Sequence, residues 1–248
     1  MPADHVTDPA TARARAYFED FAHDYDDAAR DSGWLPNGRL AEALADAGFA
    51  PGPGADQDVG PDGDPACGPS AGPSVEPTVR ALDLACGTGT TLAVLEGALP
   101  RATLVGVDVA ETMVRIAAER VPRARCLRAD LRDYVERSDE RFDVVTAIGG
   151  FEFTPDLPGI LLGVRRLVQP GGHFFFTYEP VLEGWDPQSA RVETNLGSNG
   201  FELTTFRWDP GEVAAALDGW VTVSDTLIAA YRRDGVPTIY GWLHVRTP

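Results

Sequence analysis

An apolar run of strand length at residues 80–85 ends in Cys86-Gly87-Thr88-Gly89, and a helical pattern opens at Thr90. Glycines two apart at the carboxyl end of a strand let the backbone turn sharply and approach a ligand closely, in the crevice where open α/β sheets bind small molecules. Two acids sharpen this reading. Asp83 stands two residues before the end of the run, where a dinucleotide site would carry an apolar residue, so its carboxylate suits a cationic ligand better than a pyrophosphate. Asp108 closes the next apolar run, 19 residues after Gly89, where a carboxylate can accept both hydroxyls of a ribose. The third glycine of a GxGxxG pyrophosphate fingerprint is missing, because Leu92 occupies its place.

Candidates for proton transfer lie just beyond later strand-like runs. Glu152, within Gly149-Gly150-Phe151-Glu152-Phe153, follows the fourth run, and Tyr178-Glu179 follows the fifth. His23 joins them if the first helix covers the site, whereas His173 starts the fifth strand and reads as structural. Cys86 is expected to be a small buried residue in the turn, since nothing nearby in sequence would make it a reactive thiolate. No His, Cys, Asp and Glu spacing resembles a metal site, so no metal is expected.

These residues need a scaffold of alternating strands and helices. Runs at 80–85, 102–107, 124–128, 142–148 and 173–178 are continuously apolar, as suits parallel strands covered on both faces. A helix beginning near Pro158 is expected to stop at Pro170-Gly171-Gly172, which turns the chain into the fifth strand. Strand-like segments follow at 201–206, 221–230 and 238–245. Residues 232–235 turn the last two into an antiparallel hairpin at the sheet edge. Upstream, Tyr17, Phe18, Phe21 and Tyr25 recur at helical spacing over 9–29, and a second helix is expected over 37–47 with Gly48 at its exit. Between Pro51 and Pro77, 13 of 27 residues are Gly or Pro and five are acidic, with no base, so this stretch cannot bury enough apolar surface to offset its ordering entropy. The expected organisation is a helical lid over 1–50, a flexible acidic linker over 51–77 and an α/β core over 78–248.

Composition narrows the function classes. The 248 residues are 44% hydrophobic, enough for a sizeable core. Thirty-eight acids face 21 bases, a formal charge of −17, and every one of those bases is Arg. A nucleic-acid partner is therefore not expected, because no basic patch stands ready for phosphates. With no Lys there is no Schiff-base lysine and no phosphate-loop lysine. Met1 to Asp20 holds four acids and no apolar signal core, no run is long enough to span a bilayer, and Cys67, Cys86 and Cys126 leave an odd thiol. Reduced cysteines in a cytoplasmic protein without a membrane partner are the expectation.

Taken in order, these motifs resemble the class I S-adenosylmethionine-dependent methyltransferases over roughly residues 80–180. Leu82 to Gly89 resembles the first motif, and Val105 to Met113 the second. Cys126 to Leu131 resembles the third, with Phe142 to Val145 and Leu167 to His173 as the fourth strand and the turn before the fifth. The resemblance implies a Rossmann-like, seven-stranded, mostly parallel sheet with S-adenosylmethionine as cofactor. The cofactor would be bound by Asp83, Ala85, Cys86, Gly87, Thr88, Gly89, Asp108, Val109, Met113, Asp130, Leu131 and Ile148, with Asp108 on the ribose hydroxyls, Met113 bordering the adenine and Asp130 meeting its amino group. The stretch Phe21 to Asp26 is similar to a covering helix whose Tyr25 would close over the cofactor. Glu152, Tyr178, Glu179 and His23 would then lie near the transferred methyl group. The Asn-Pro-Pro-Tyr-like signature of nucleic-acid amino methylation is replaced by Ala147-Ile148-Gly149-Gly150.

The expected activity is methyl transfer to O, N or C of a small molecule. The aromatic residues Trp34, Phe151, Phe153, Tyr178 and Trp185 near the mouth suit an apolar or aromatic acceptor, such as a specialised metabolite. Two other classes stay open. One is a cyclase or lyase that binds the cofactor without net methyl transfer. The other is a non-catalytic interaction module in which the hairpin with Ile239, Tyr240 and Trp242 pairs with a second copy as a homodimer.

Overall fold

The computed structural model describes residues 8–49, 79–182, 192–197, 199–233 and 235–248. The expected linker over 51–77, Cys67 and Trp185 lie outside the described residues. Five parallel strands form the centre: β1 (Arg80–Leu84), β2 (Thr103–Asp108), β3 (Arg125–Arg128), β4 (Phe142–Ala147) and β5 (Val168–Tyr178). A separate antiparallel ribbon pairs β6 (Val192–Leu196) with β7 (Glu202–Phe206). The hairpin of β8 (Val221–Arg233) and β9 (Val236–Arg246) completes the main sheet, β9 running antiparallel to β5. The order is β3-β2-β1-β4-β5-β9-β8. From β1 the chain builds outward through β2 and β3, then returns to place β4 on the other side of β1. The crevice for a ligand opens at that reversal, beyond the carboxyl ends of β1 and β4.

Continuous apolarity in the strands follows from burial of both sheet faces. Leu82, Leu84, Val105, Val107, Phe174 and Phe176 pack against α6 (Leu131–Arg137), α7 (Leu157–Leu167) and α8 (Pro210–Ala216). On the other face Ala81, Leu104, Val144, Phe175 and Trp242 meet α3 (Pro36–Leu44), α4 (Thr90–Ala98) and α5 (Glu111–Arg120). Leu92 fills the space beside Gly106 of β2, where an added Cβ would stand 2.7 Å from its Cδ1 and 3.0 Å from Cys86 Sγ. The bare backbone that a third loop glycine would provide is supplied here by the strand instead.

Four expectations need correction. The aromatic stripe over 9–29 is not one helix but α1 (Pro9–Phe21) and α2 (Tyr25–Asp31), joined by a turn in which Asp24 donates to the Phe21 carbonyl at 3.1 Å. Asp26 and Asp27 thereby fall in the first turn of α2, where the helix dipole favours acids. α7 ends at Leu167, and β5 runs on through Pro170-Gly171-Gly172 as a register shift rather than a turn before the strand. Pairing of β8 with β9 continues to Arg233 opposite Val236, so the hairpin turn is tighter than 232–235. Trp242 is fully buried because β9 lies inside the sheet, with β8 at the edge, so Tyr240 and Trp242 present no pairing edge to a second copy.

Among the described residues no helix is long and apolar enough to cross a membrane. The close approach at Gly106 gives a test of the core: Gly106→Val should lower unfolding free energy by about 1–3 kcal/mol through overpacking against Leu92 and Cys86. Chemical denaturation reads this directly, and an unchanged midpoint would contradict the packing described.

Candidate functional site at the carboxyl ends of the parallel strands

The loop after β1 is held in an unusual conformation. Ala85 has φ +56°, rare for a residue with a Cβ, and Gly87 and Gly89 follow at φ +51° and +83°. At Gly89 a side chain is excluded twice, by that φ and by the Ala117 Cα, which an added Cβ would approach to 2.9 Å. The Cys86 amide donates to the Val107 carbonyl at 2.9 Å, so the loop is tied to β2 before it enters α4.

Asp108, at the end of β2, completes the tie. Its two oxygens accept the Gly87 and Ala110 amides, each at 2.9 Å. Burial raises its pKa against these bonds, and the carboxylate still lines the cleft. Asp83 lies beneath the loop, nearly inaccessible. Thr146 donates to its Oδ1 at 2.7 Å, while Oδ2 is buried without a protein partner. Burial pushes this carboxyl up to about 8, the Thr146 bond opposing and the Asp108 charge adding. Asp130 caps α6 by accepting the Asp133 amide at 3.2 Å and also faces the cleft, so one residue serves both roles. Cys86 is buried with its thiol pKa well raised, which leaves it unreactive.

Above these strand ends the N-terminal helices form a roof. Glu19 of α1 accepts the Glu111 and Thr112 amides at 2.6 and 2.9 Å, which caps α5 in place of a local side chain. Burial would raise its pKa, but these bonds outweigh it and hold the group below the usual carboxylate range. Asp26 of α2 accepts from the Thr88 hydroxyl at 2.6 Å and pairs with Arg120. Phe18 of α1 meets Phe153 edge-on at 5.0 Å across the cleft. The cleft beneath this roof is partly open to solvent and is lined jointly by the roof helices and the strand ends.

Most of the binding residues named from sequence converge. Tyr25, Ala85, Cys86, Gly87, Thr88, Asp108, Val109, Met113, Asp130, Leu131 and Ile148 line this one cleft, Asp83 supports the loop from below, and Gly89 sits behind it against α5. Met113 is also core, at 1% exposure beside Ala22 and Ala110.

The four proton-transfer candidates separate. Glu152 is buried beside Gly149, one of its oxygens accepting the Tyr240 hydroxyl at 2.7 Å. Tyr178 turns away from the cleft into the core around Phe174 and Phe176, because alternation along β5 puts it on the opposite face. Glu179 is committed to Arg207 at 2.9 Å. His23 is exposed on the outer side of the roof, 3.4 Å from Arg115, because the turn between α1 and α2 carries it outward. The geometry therefore places Tyr178, Glu179 and His23 outside the cleft lining, with Glu152 directly behind its wall at Gly149.

Several lining residues escape the sequence reading. Asp8, Thr11 and Asn37 come from the roof, and Thr90, Arg132 and Gly149 from turns that flank the recognised motifs. Asp8 is the N-cap of α1, accepting the Thr11 amide at 2.8 Å, and that capping pattern is its only local signal. Gly149, at φ +75°, stands where a Cβ would meet the Trp34 ring at 2.7 Å. Among the described residues no group of three or more His, Cys, Asp or Glu side chains is placed to hold a metal ion.

A sequence profile for a methyltransferase domain matches residues 82–174, the segment that carries the glycine loop, Asp108, Asp130 and the start of β5. Over those residues the chain is similar to the methyltransferase-domain family. The chain is 31% identical to a ubiquinone biosynthesis O-methyltransferase of Vibrio atlanticus over 101 residues, 40% of this chain and 42% of that protein. It is 31% identical to a trans-aconitate 2-methyltransferase of Azoarcus over 153 residues, 62% of this chain and 53% of that protein. The matches span about half or less of these relatives' own length. A magnesium protoporphyrin IX methyltransferase from Synechocystis, solved with bound S-adenosylmethionine, shares the fold at TM-score 0.61 and 11% identity, covering 98% of this chain and 100% of that one.

Asp83 makes a pH prediction for the ligand-free chain. Its folded pKa of about 8 lies above its unfolded value of 3.8, so the folded state keeps a proton that the unfolded state has lost. This carboxyl therefore subtracts stability progressively as pH rises from about 4 to about 8, and adds no slope beyond. Asp83→Asn should flatten the fall of Tm over that range and raise Tm at pH 8 by on the order of 5 °C, with little difference at pH 4. Equal pH slopes for the two proteins would contradict the assignment.

Proposed function

We propose that the protein transfers a methyl group from S-adenosylmethionine to O, N or C of a small-molecule acceptor. The observation that carries this reading is the arrangement of the glycine loop, Asp108 and Asp130 along one wall of a roofed cleft, with the buried Asp83 carboxyl directly beneath the loop. These residues suit the cofactor's chemistry at each end. The buried, unpartnered Asp83 oxygen lacks a donor, and a cationic amino-acid end near it would supply positive charge and N–H groups. Asp108 has spent one bond per oxygen on the loop, and each carboxylate oxygen can accept a further hydrogen bond, here from a ribose hydroxyl. Asp130, Leu131 and Met113 suit an adenine, with one acceptor beside two apolar walls.

Bound there, S-adenosylmethionine would supply an electrophilic methyl group on a sulfonium, whose departure leaves a neutral thioether. The chain's part is alignment and exclusion of water, which together account for much of the acceleration in such a displacement. Tyr25, Phe18 and Trp34 cover the cleft from above, and the Glu19 and Asp26 contacts fasten that cover to α5 and to the glycine loop. A small-molecule acceptor fits this cleft better than a polymer, because the roof spans the strand ends and, among the described residues, the one Arg lining the cleft, Arg132, pairs with Asp156 and Glu136.

Asp108→Ala should weaken S-adenosylhomocysteine binding by on the order of 100-fold, since bonds to a charged acceptor are lost in a half-dry site. Isothermal titration with a circular-dichroism check of folding tests this. Unchanged affinity in the folded variant would sink the reading.

A further inference from the structure

Behind one part of the cleft wall, past the glycine loop, lies a buried carboxyl that the cofactor reading does not use. Gly149, Gly150 and Trp34 form that part of the wall. The Glu152 carboxyl lies directly beside Gly149, whose added Cβ would stand 3.9 Å from Oε1. Tyr240 donates to that oxygen at 2.7 Å. The second oxygen, Oε2, is buried and has no partner. Tyr240 packs with two further rings: Trp34, which lines the cleft, lies 6.0 Å from Tyr240 and 5.9 Å from Tyr231, and the two tyrosines are 6.0 Å apart. Tyr25, which lines the cleft from the roof, feels Glu152 more strongly than any other charge, so the carboxyl and the cleft are within electrostatic reach.

A buried acceptor without a donor is costly unless a ligand supplies one. The charge of the surroundings says which donor. A carboxylate ligand would be repelled by Glu152 and, among the described residues lining the cleft, would find no free cation, because Arg132 is already paired with Asp156 and Glu136. A cationic ligand would share the enclosure with the cofactor's own sulfonium. A neutral hydroxyl satisfies Oε2 without either penalty, and the rings favour a flat apolar body behind it.

We propose that Glu152, positioned by Tyr240 behind the cleft wall at Gly149 and Trp34, binds the hydroxyl of a neutral, ring-bearing acceptor, an assignment that rests on the methyltransferase reading. Burial lifts the Glu152 carboxyl to about 7 against the Tyr240 bond, with the Glu179 charge adding. Tyr231 is in turn steadied by Arg233, whose guanidinium donates to its hydroxyl at 2.9 Å.

The test uses the full chain saturated with S-adenosylhomocysteine and three probes of one shape: 4-ethylphenol, 4-ethylbenzoate and 4-ethylbenzylamine. Titration should show the phenol binding about tenfold or more tightly than either charged probe, as expected where a site is built around a hydroxyl. Glu152→Gln should lose about tenfold of the phenol affinity with S-adenosylhomocysteine affinity within about twofold of the parent. Tyr240→Phe, which keeps the carboxyl but frees it to move, should lose less, and both variants are checked for folding by circular dichroism. Absent phenol binding, equal or tighter binding of the benzoate or the amine, or an unaffected Glu152→Gln variant would each overturn the assignment. Failure of the parent chain to bind S-adenosylhomocysteine would instead overturn the methyltransferase reading on which it rests.

Discussion

Three carboxyl groups stand around one cleft with fewer hydrogen bonds than their burial demands, and the organisation of the protein follows from that shortage. Asp83 and Glu152 each keep one oxygen dry and unpartnered, and Asp108 gives both of its oxygens to backbone amides while remaining open to the cleft. In a ligand-free chain such groups oppose folding, because burial penalises their charged forms. Their stabilisation must come from what enters the cleft. A ligand with positive charge and N–H donors at one end and hydroxyls in the middle meets the needs of Asp83 and Asp108 in the order in which β1 and β2 present them.

The scaffold makes this arrangement possible by separating packing from recognition. Both faces of the sheet are closed by apolar side chains, so the strands themselves need no polar partners from outside. Polar groups gather where the strands stop, at the reversal between β1 and β4. There the positive φ values from Ala85 to Gly89 bring backbone amides toward the cleft, and Asp108 fixes them. The roof is attached through side chains and through the edge of the sheet: Glu19 to α5, Asp26 to Thr88 and Arg120, and the Leu35 amide to the Ala230 carbonyl at 2.9 Å on the edge strand. Attachment of this kind joins the β8 edge, the glycine loop and α5 over a single ligand-sized space.

Much of the cofactor side was legible from sequence because its signals are local. A glycine pair at a strand end, an acid two residues before that end and another at the end of the next strand are fixed by a few consecutive residues, and each reached the cleft or its immediate support. The acceptor side was legible only in part, because its members come from distant segments. Trp34, Glu152, Tyr231 and Tyr240 meet through tertiary packing that no spacing encodes. Tyr178 and Glu179 follow the right strand, yet alternation sends Tyr178 to the opposite face and Arg207 claims Glu179. His23 failed for a different reason: one continuous helical periodicity hid the turn at 22–24 that carries its ring outward. The shift of β5 back to Val168 shows the same limit, since Pro-Gly-Gly reads locally as a stop while pairing with Phe142 holds the strand together beyond it.

The central claim is that one cleft holds the cofactor along Asp83, Asp108 and Asp130 and presents its reactive end to Glu152. A crystal structure of the full chain with S-adenosylhomocysteine tests it most directly. The account predicts both ribose hydroxyls on Asp108, a donor on the Asp83 Oδ2 that is now dry, and the sulfur facing the cleft wall at Trp34 and Gly149, with Glu152 behind it. A ligand bound elsewhere, or one in this cleft with its sulfur turned away from Glu152, would contradict it.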